Sequence, residues 1–151
     1  HFYRLPTEAE WEFAARGGKK SRGHKYAGSD KIKEVGWFED NSHGETKNVG
    51  LKDQNELGIF DMSGNVWEWV EDCWHGDYKG APGDGSAWIE AIDGSCGQRV
   101  VRGGSWHSTP MSLRASDRTW VFTENHNLYS SYIYRDDRFA SLGIRLVQDI
   151  P

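Results

Sequence analysis

"IFDMSGNVWEWVEDCW", residues 59–74, sets a glycine–asparagine break directly before Val66-Trp67-Glu68-Trp69-Val70. The break interrupts any helical period, and two tryptophans and two valines crowd the run that follows. The pattern predicts a short strand, or a buried turn leading into one. Sixteen residues that pass from turn to aromatic strand describe a fold pinned by rings and connected by loops.

The whole composition agrees with that stretch. The chain has 151 residues, close to the commonest size for one domain, with 18 glycines and 8 tryptophans against only 2 methionines. Leucine and isoleucine are sparse, so aromatic rings must fill much of the core. Abundant glycine implies many positions with positive φ or close backbone approach. This is not the make-up of a helical bundle. A net charge of -5 supplies no electrostatic attraction to nucleic acid or to an anionic membrane. No apolar run is long enough to span a bilayer, so no membrane insertion is expected. The opening residues, "HFYRLPTEAEWEF", read as the interior of a domain rather than as a leader, which leaves the compartment open.

Outward from the central stretch, "LPTEAEWEFAARGG" (residues 5–18) predicts the clearest helix. Thr7 and Glu10 form a capping box behind Pro6, and Gly17-Gly18 ends the element. "RVVRGGSW" (residues 99–106) reads as a strand ending in a glycine kink. "PMSLRASDRTW" (residues 110–120) is expected to continue as strand. "FASLGIRLVQDI" (residues 139–150) is expected to form a last strand with Leu142, Ile144 and Leu146 on one face. Cys73 and Cys96 admit two readings, one bridge worth about 3 kcal/mol or two buried thiols. Asp84 in "GDGSAW" reads as a turn residue. Arg102, Arg114 and Arg118 are expected to pair with acids inside the fold, and Arg135 and Arg138 to sit in a solvated charged turn.

Five segments in fixed order carry a resemblance: "RLPTEAEWEFAARGG", "NELGIFDMSGNVWEWVEDCW", "GAPGDGSAW", "RVVRGGSW" and "LGIRLV". Together they resemble the formylglycine-generating-enzyme, or sulfatase-modifying-factor, domain family, from residue 2 to about residue 147. The resemblance implies an α+β variant of the C-type-lectin fold, loop-rich, with short antiparallel strands and few helices. It also implies one domain over 1–151 that corresponds to the C-terminal part of the family's domain, without its N-terminal part. Fold does not carry function with it, so each site is taken residue by residue.

Family oxidases convert a cysteine of a sulfatase peptide to formylglycine with two cysteines that bind copper(I), a soft ion suited to thiolate. Those positions, two and seven residues after the aromatic of the GGS-aromatic motif, are here Ser108 and Leu113. Neither side chain supplies a thiolate, and no copper is expected. Iron-dependent sulfoxide synthases share the domain but hold iron with histidines. The six histidines here lack the spacing of a metal site.

The resemblance also implies a structural calcium, with the side chains of Asp61 and Glu68 and the carbonyls of Gly64 and Val66 as ligands. Calcium takes several hard oxygens, and a glycine turn lets carbonyls face inward. The other reading is a capped turn with Asp61 exposed and Glu68 hydrogen-bonded to backbone.

Between Trp106 and Gly143, rings alternate with small polar residues and arginine, the composition of adaptable binding faces. Trp106, His107, Ser108, Met111, Trp120, Phe122, Asn125, Tyr129, Tyr132 and Tyr134 are the candidate ligand-binding residues, with core packing the alternative for the tryptophans. Some proteins resembling this domain are variable proteins of diversity-generating retroelements, which display altered residues over the corresponding segment. The expectation is a non-catalytic domain that binds a protein or peptide. The alternatives are a divergent formylglycine-generating oxidase, a fragment of an iron-dependent sulfoxide synthase, and an accessory domain with no ligand of its own.

Overall fold

The computed structural model describes residues 2–90, 96–123 and 140–149. The elements in order are β1 (Tyr3–Arg4), α1 (Glu8–Ala15), α2 (Ile32–Val35), β2 (Gly36–Trp37), β3 (Ser63–Gly64), β4 (Trp67–Cys73), β5 (Gln98–Arg102), β6 (Arg118–Phe122), β7 (Leu142–Gly143) and β8 (Val147–Gln148). Short 3-10 turns cover Gly18–Lys20 and Pro110–Leu113. Among the described residues no helix is long and apolar enough to cross a membrane.

The helix α1 starts where its sequence places it. Thr7 Oγ1 accepts the Glu10 amide at 3.1 Å, and Glu10 Oε2 accepts the Thr7 amide at 2.8 Å. Both halves of the capping box are made. Arg4 then forks onto Glu10 at 2.7 and 2.8 Å, tying β1 to the helix start.

The main sheet has four strands in the order β6-β5-β4-β7. The β4/β5 and β5/β6 pairs are antiparallel, while β7 lies parallel to β4, with Trp67 opposite Leu142. Small ladders of β1 with β8 and of β2 with β3 complete the pairing, the latter parallel. The strands are therefore short as expected, but not uniformly antiparallel.

Alternation divides the core between the two faces of the sheet. Val70 and Val100 face α1 and pack with Trp11, Ala15, Met62 and Ala115. Trp67, Val101 and Val121 form the opposite cluster, flanked by Trp69 and Leu142. A third cluster gathers Tyr26, Val35, Phe38 and Leu113 beside the β2/β3 ladder. Burying one such ring contributes roughly 1.5–3 kcal/mol, so a core short of leucine is still well supplied.

Buried ion pairs join α1 to the sheet. Arg102 is fully buried and donates to the Glu12 carboxylate and to the Asp117 and Ala115 carbonyls. Arg118 grips Glu8 with two bonds of 2.7 Å. Arg114 has Asp117 at 3.4 Å. Arg102 and Arg118 meet acids inside the fold as expected, whereas the Arg114–Asp117 contact is partly exposed. Cys73 and Cys96 form a disulfide, with Cα atoms 5.2 Å apart, that joins the end of β4 to the approach of β5. Of the two readings of these cysteines, the bridge is the one present.

Two sequence expectations are corrected. Residues 110–120 are not one strand: Pro110 opens a 3-10 turn, Leu113 turns into the core, and regular pairing begins only at Arg118. Proline removes a ladder donor and its fixed φ favours the turn. The closing segment is likewise interrupted. After Gly143 the chain leaves the sheet, so Ile144 and Leu146 are exposed rather than facing inward with Leu142. Arg145 is the reason, because its side chain reaches back to Glu68 and to the Phe60 carbonyl. Asp84 does sit in a turn, its carboxylate accepting the Ser86 amide and hydroxyl. Arg135 and Arg138 lie outside the described residues.

Candidate functional site

Where β5 ends, Gly103-Gly104 turns the chain and Ser105–Ser108 folds back on itself. The Ser108 amide donates to the Ser105 carbonyl at 3.0 Å. Ser108 Oγ accepts the Ser105 amide at 3.0 Å and lies 3.1 Å from Ser105 Oγ. The Glu39 amide meets the Ser108 carbonyl at 3.2 Å, bringing a residue from far upstream to the same rim.

Below this turn opens a cavity of about 460 Å³, lined by Glu39, Trp67, His107, Ser108, Thr109, Met111, Ser112, Asp117, Arg118 and Thr119. Its size falls within the range of ordinary ligand pockets. Three expected binding residues meet here, His107, Ser108 and Met111, the last 59% exposed. Trp106 does not join them. It is buried, its indole donating to the Ala140 carbonyl at 3.1 Å and its own carbonyl accepting from Ser42. The ring packs edge-on against His107 and is not among the residues that line the cavity. Trp120 and Phe122 form a half-buried edge-to-face pair on β6, away from the lining. Asn125, Tyr129, Tyr132 and Tyr134 lie outside the described residues.

Sequence reasoning missed Glu39, Trp67, Thr109, Ser112, Asp117, Arg118 and Thr119 as members of this site. Glu39 carries no local signal of it, since only the tertiary contact with Ser108 brings it there. The Asp117 carboxyl is pushed above the usual range by burial, with the Arg114 guanidinium pulling the other way.

The oxidase positions are both within view. Ser108 offers a hydroxyl. Leu113 is fully buried, and its methyls lie 2.7 and 2.6 Å from where side chains at Gly64 and Gly104 would begin. Neither atom set ligates a soft metal, and the chain's two cysteines are bound to each other at the far end of β4. Among the described residues no three His, Cys, Asp or Glu side chains gather as metal ligands.

The second place is the turn that opens the β4 strand. Asp61 is buried at φ +60°, with Oδ2 accepting the Gly50 amide at 2.7 Å. Its Oδ1 is also buried and has no hydrogen-bond partner. Glu68 Oε2 accepts from Trp11 Nε1 at 2.7 Å and from Arg145 Nε at 2.9 Å, while Oε1 accepts from Arg145 Nη2 at 2.7 Å. The Gly64 carbonyl accepts the Val66 amide at 3.0 Å. The alternative of an exposed Asp61 and a backbone-bound Glu68 is corrected on both counts. An orphaned carboxylate oxygen beside a glycine turn suits a hard cation, whereas Glu68 already has two donors on one oxygen and one on the other.

A family model described as the sulfatase-modifying factor enzyme 1-like domain matches residues 2–150. A Bos taurus protein named inactive C-alpha-formylglycine-generating enzyme 2 is 38% identical over 112 residues, covering 64% of this chain and 36% of that protein. The formylglycine-generating enzyme of Streptomyces coelicolor is 34% identical over 125 residues, covering 68% of this chain and 36% of that enzyme. The solved structure of Treponema denticola variable protein 1 superposes with a TM-score of 0.68 at 32% identity, over 95% of this chain and 46% of that one. The chain thus spans roughly a third to a half of the length of these relatives. Its fold is the loop-rich α+β one that the motifs imply, and the chain belongs to the sulfatase-modifying factor enzyme 1-like domain family.

Proposed function

We propose that this chain is a non-catalytic ligand-binding domain that takes a protein or peptide at the cavity under Ser105–Ser108. The observation that carries the reading is the chemistry of that cavity. At the positions of the family's two thiolates stand a hydroxyl and a core leucine, while the walls combine hydroxyls, an exposed thioether and a tryptophan ring with His107, Arg118 and two acids. Such walls hold a partner by contact area and adaptable hydrogen bonds. Similarity to a relative named as inactive supports the loss of turnover. Similarity to a variable protein supports display of the segment after Trp106.

Two measurements test it. The purified chain is incubated with copper(I), oxygen and a sulfatase-type cysteine peptide, with a cysteine-bearing family enzyme alongside, and read by mass spectrometry. Copper-dependent aldehyde from this chain would overturn the reading. In the second, a panel of peptides and surface proteins is screened by nuclear magnetic resonance for shifts at residues 107–119. Silence across the panel favours an accessory domain instead.

The same proposal includes a structural calcium at the turn before β4, held by the Asp61 and Glu68 side chains and the Gly64 and Val66 carbonyls. Calcium would supply a hard positive charge to the unpartnered Asp61 Oδ1. The Gly50 amide orients the Asp61 carboxylate, and Trp11 with Arg145 orients that of Glu68. A calcium-dependent rise in Tm that Asp61→Ala abolishes is expected. An unchanged Tm at millimolar calcium would remove the ion from the proposal.

A further inference from the structure

We infer that the cavity under Ser105–Ser108 selects a basic side chain, an arginine or lysine of the bound peptide. This deepens the proposed function and rests on it.

The arginine and the two acids that line the space differ in how far they are paired. Arg118 is the lining arginine, and its guanidinium is spoken for. Two bonds of 2.7 Å go to Glu8, a third of 2.7 Å goes to the His75 carbonyl, and its Cζ lies 4.5 Å from the Trp74 and Tyr78 ring centres. It has little charge left for an incoming anion. The two lining acids are in the opposite state. Among the described residues, the Asp117 side chain has one hydrogen-bond partner, Arg114 at 3.4 Å, a long contact, and feels the Arg102 charge as well. Glu39 is exposed, with no side-chain hydrogen bond or ion pair among the described residues. A cavity whose cation is neutralised, with one acid weakly paired and the other without a side-chain partner among the described residues, carries a negative potential, which its low-dielectric walls focus.

The rest of the lining fits the stem of such a side chain. Met111 and the Trp67 ring offer apolar surface to three or four methylenes, and a polarizable thioether adapts to their path. The hydroxyls of Ser112 and Thr119 present oxygen lone pairs to N–H donors. Burial raises the cost of the Asp117 charge, which the long Arg114 contact offsets only in part, and a guanidinium entering from solvent relieves it.

The test uses the isotope-labelled chain and three pentapeptides, Gly-Ser-Xaa-Ser-Gly, with arginine, citrulline or glutamate at the centre. Citrulline keeps the shape of arginine without its charge. Only the arginine peptide is expected to shift residues 107–119 at low millimolar concentration. Glu39→Gln and Asp117→Asn are each expected to weaken it roughly two- to fivefold, with added salt doing the same. The citrulline comparison needs no variant, so misfolding cannot imitate the result. Equal binding of citrulline and arginine at these residues overturns the inference and leaves the peptide-binding reading standing. No shift with any of the three overturns the inference as well, and the panel described above then decides the binding reading on its own.

Discussion

Arg145 closes on Glu68 with two bonds, Nη2 to Oε1 at 2.7 Å and Nε to Oε2 at 2.9 Å, and so anchors the end of the chain to the β4 strand. Trp11 donates to the same carboxylate from α1, so one buried acid joins three parts of the fold.

Removing the cation leaves that acid buried with its charge uncompensated. Arg145→Ala is expected to cost about 3 kcal/mol, the lower end for breaking a buried pair. Urea unfolding followed by tryptophan fluorescence measures it. Glu68→Gln combined with Arg145→Ala should cost less than the sum of the two single changes, because the partners share one interaction. Simple additivity would show that the pair does not couple the elements.

The Cys73–Cys96 bridge closes a loop across a sequence separation of 23 residues. In the chain-entropy account its reduction should lower stability by about 3 kcal/mol. A reductant and the Cys73→Ala/Cys96→Ala pair should lower Tm to a similar extent. If neither moves Tm, the bridge contributes no net stability.

Gly64 sits at φ +90°, where an added Cβ would lie 2.2 Å from the Trp37 carbonyl oxygen in the β2/β3 ladder. Gly44 has φ +75° but nothing within 4 Å. Alanine at Gly44 should therefore cost only the backbone strain, about 1–2 kcal/mol. At Gly64 the steric clash is added, and Gly64→Ala is expected to leave little folded protein. Equal losses by thermal melting would mean that the close approach to Trp37 relaxes freely.

Glu10 and Asp117 are displaced in opposite directions. The hydrogen bonds from Arg4 hold the Glu10 carboxyl below the usual range, so its contribution is complete above the ordinary glutamate value of about 4.3. It is lost as pH falls through the lower folded value. Burial pushes Asp117 up, so the fold favours its protonated form. That advantage is present below the ordinary aspartate value and disappears as pH rises through the folded one. Carbon-13 titration of the side-chain carboxyls should place the Glu10 midpoint below 4.3 and the Asp117 midpoint above about 3.9. Arg4→Gln should return Glu10 toward its ordinary value.

The features legible without a structure are those whose signals are local or are fixed by residue identity. Thr7, Glu10 and Gly17 lie within a few residues of the helix they bound, so the cap and stop could be read directly. Ser108 and Leu113 lack a thiolate in any fold. The glycine–tryptophan composition announced a core of rings, and the ordered motifs announced the family. Where two local readings competed, as at Pro110–Leu113, the hydrophobic pattern pointed to strand, while proline and the buried Leu113 imposed a turn.

What only the tertiary structure decided depends on residues far apart in sequence. Glu39 reaches the Ser108 rim, Glu68 is claimed by both Trp11 and Arg145, Trp106 is drawn inward, and Ile144 and Leu146 are turned outward. Sequence alone determined which chemical groups the chain possesses and where its helix begins. Which groups remain free for a ligand was decided by packing, because a charge is available only when no buried partner has already neutralised it.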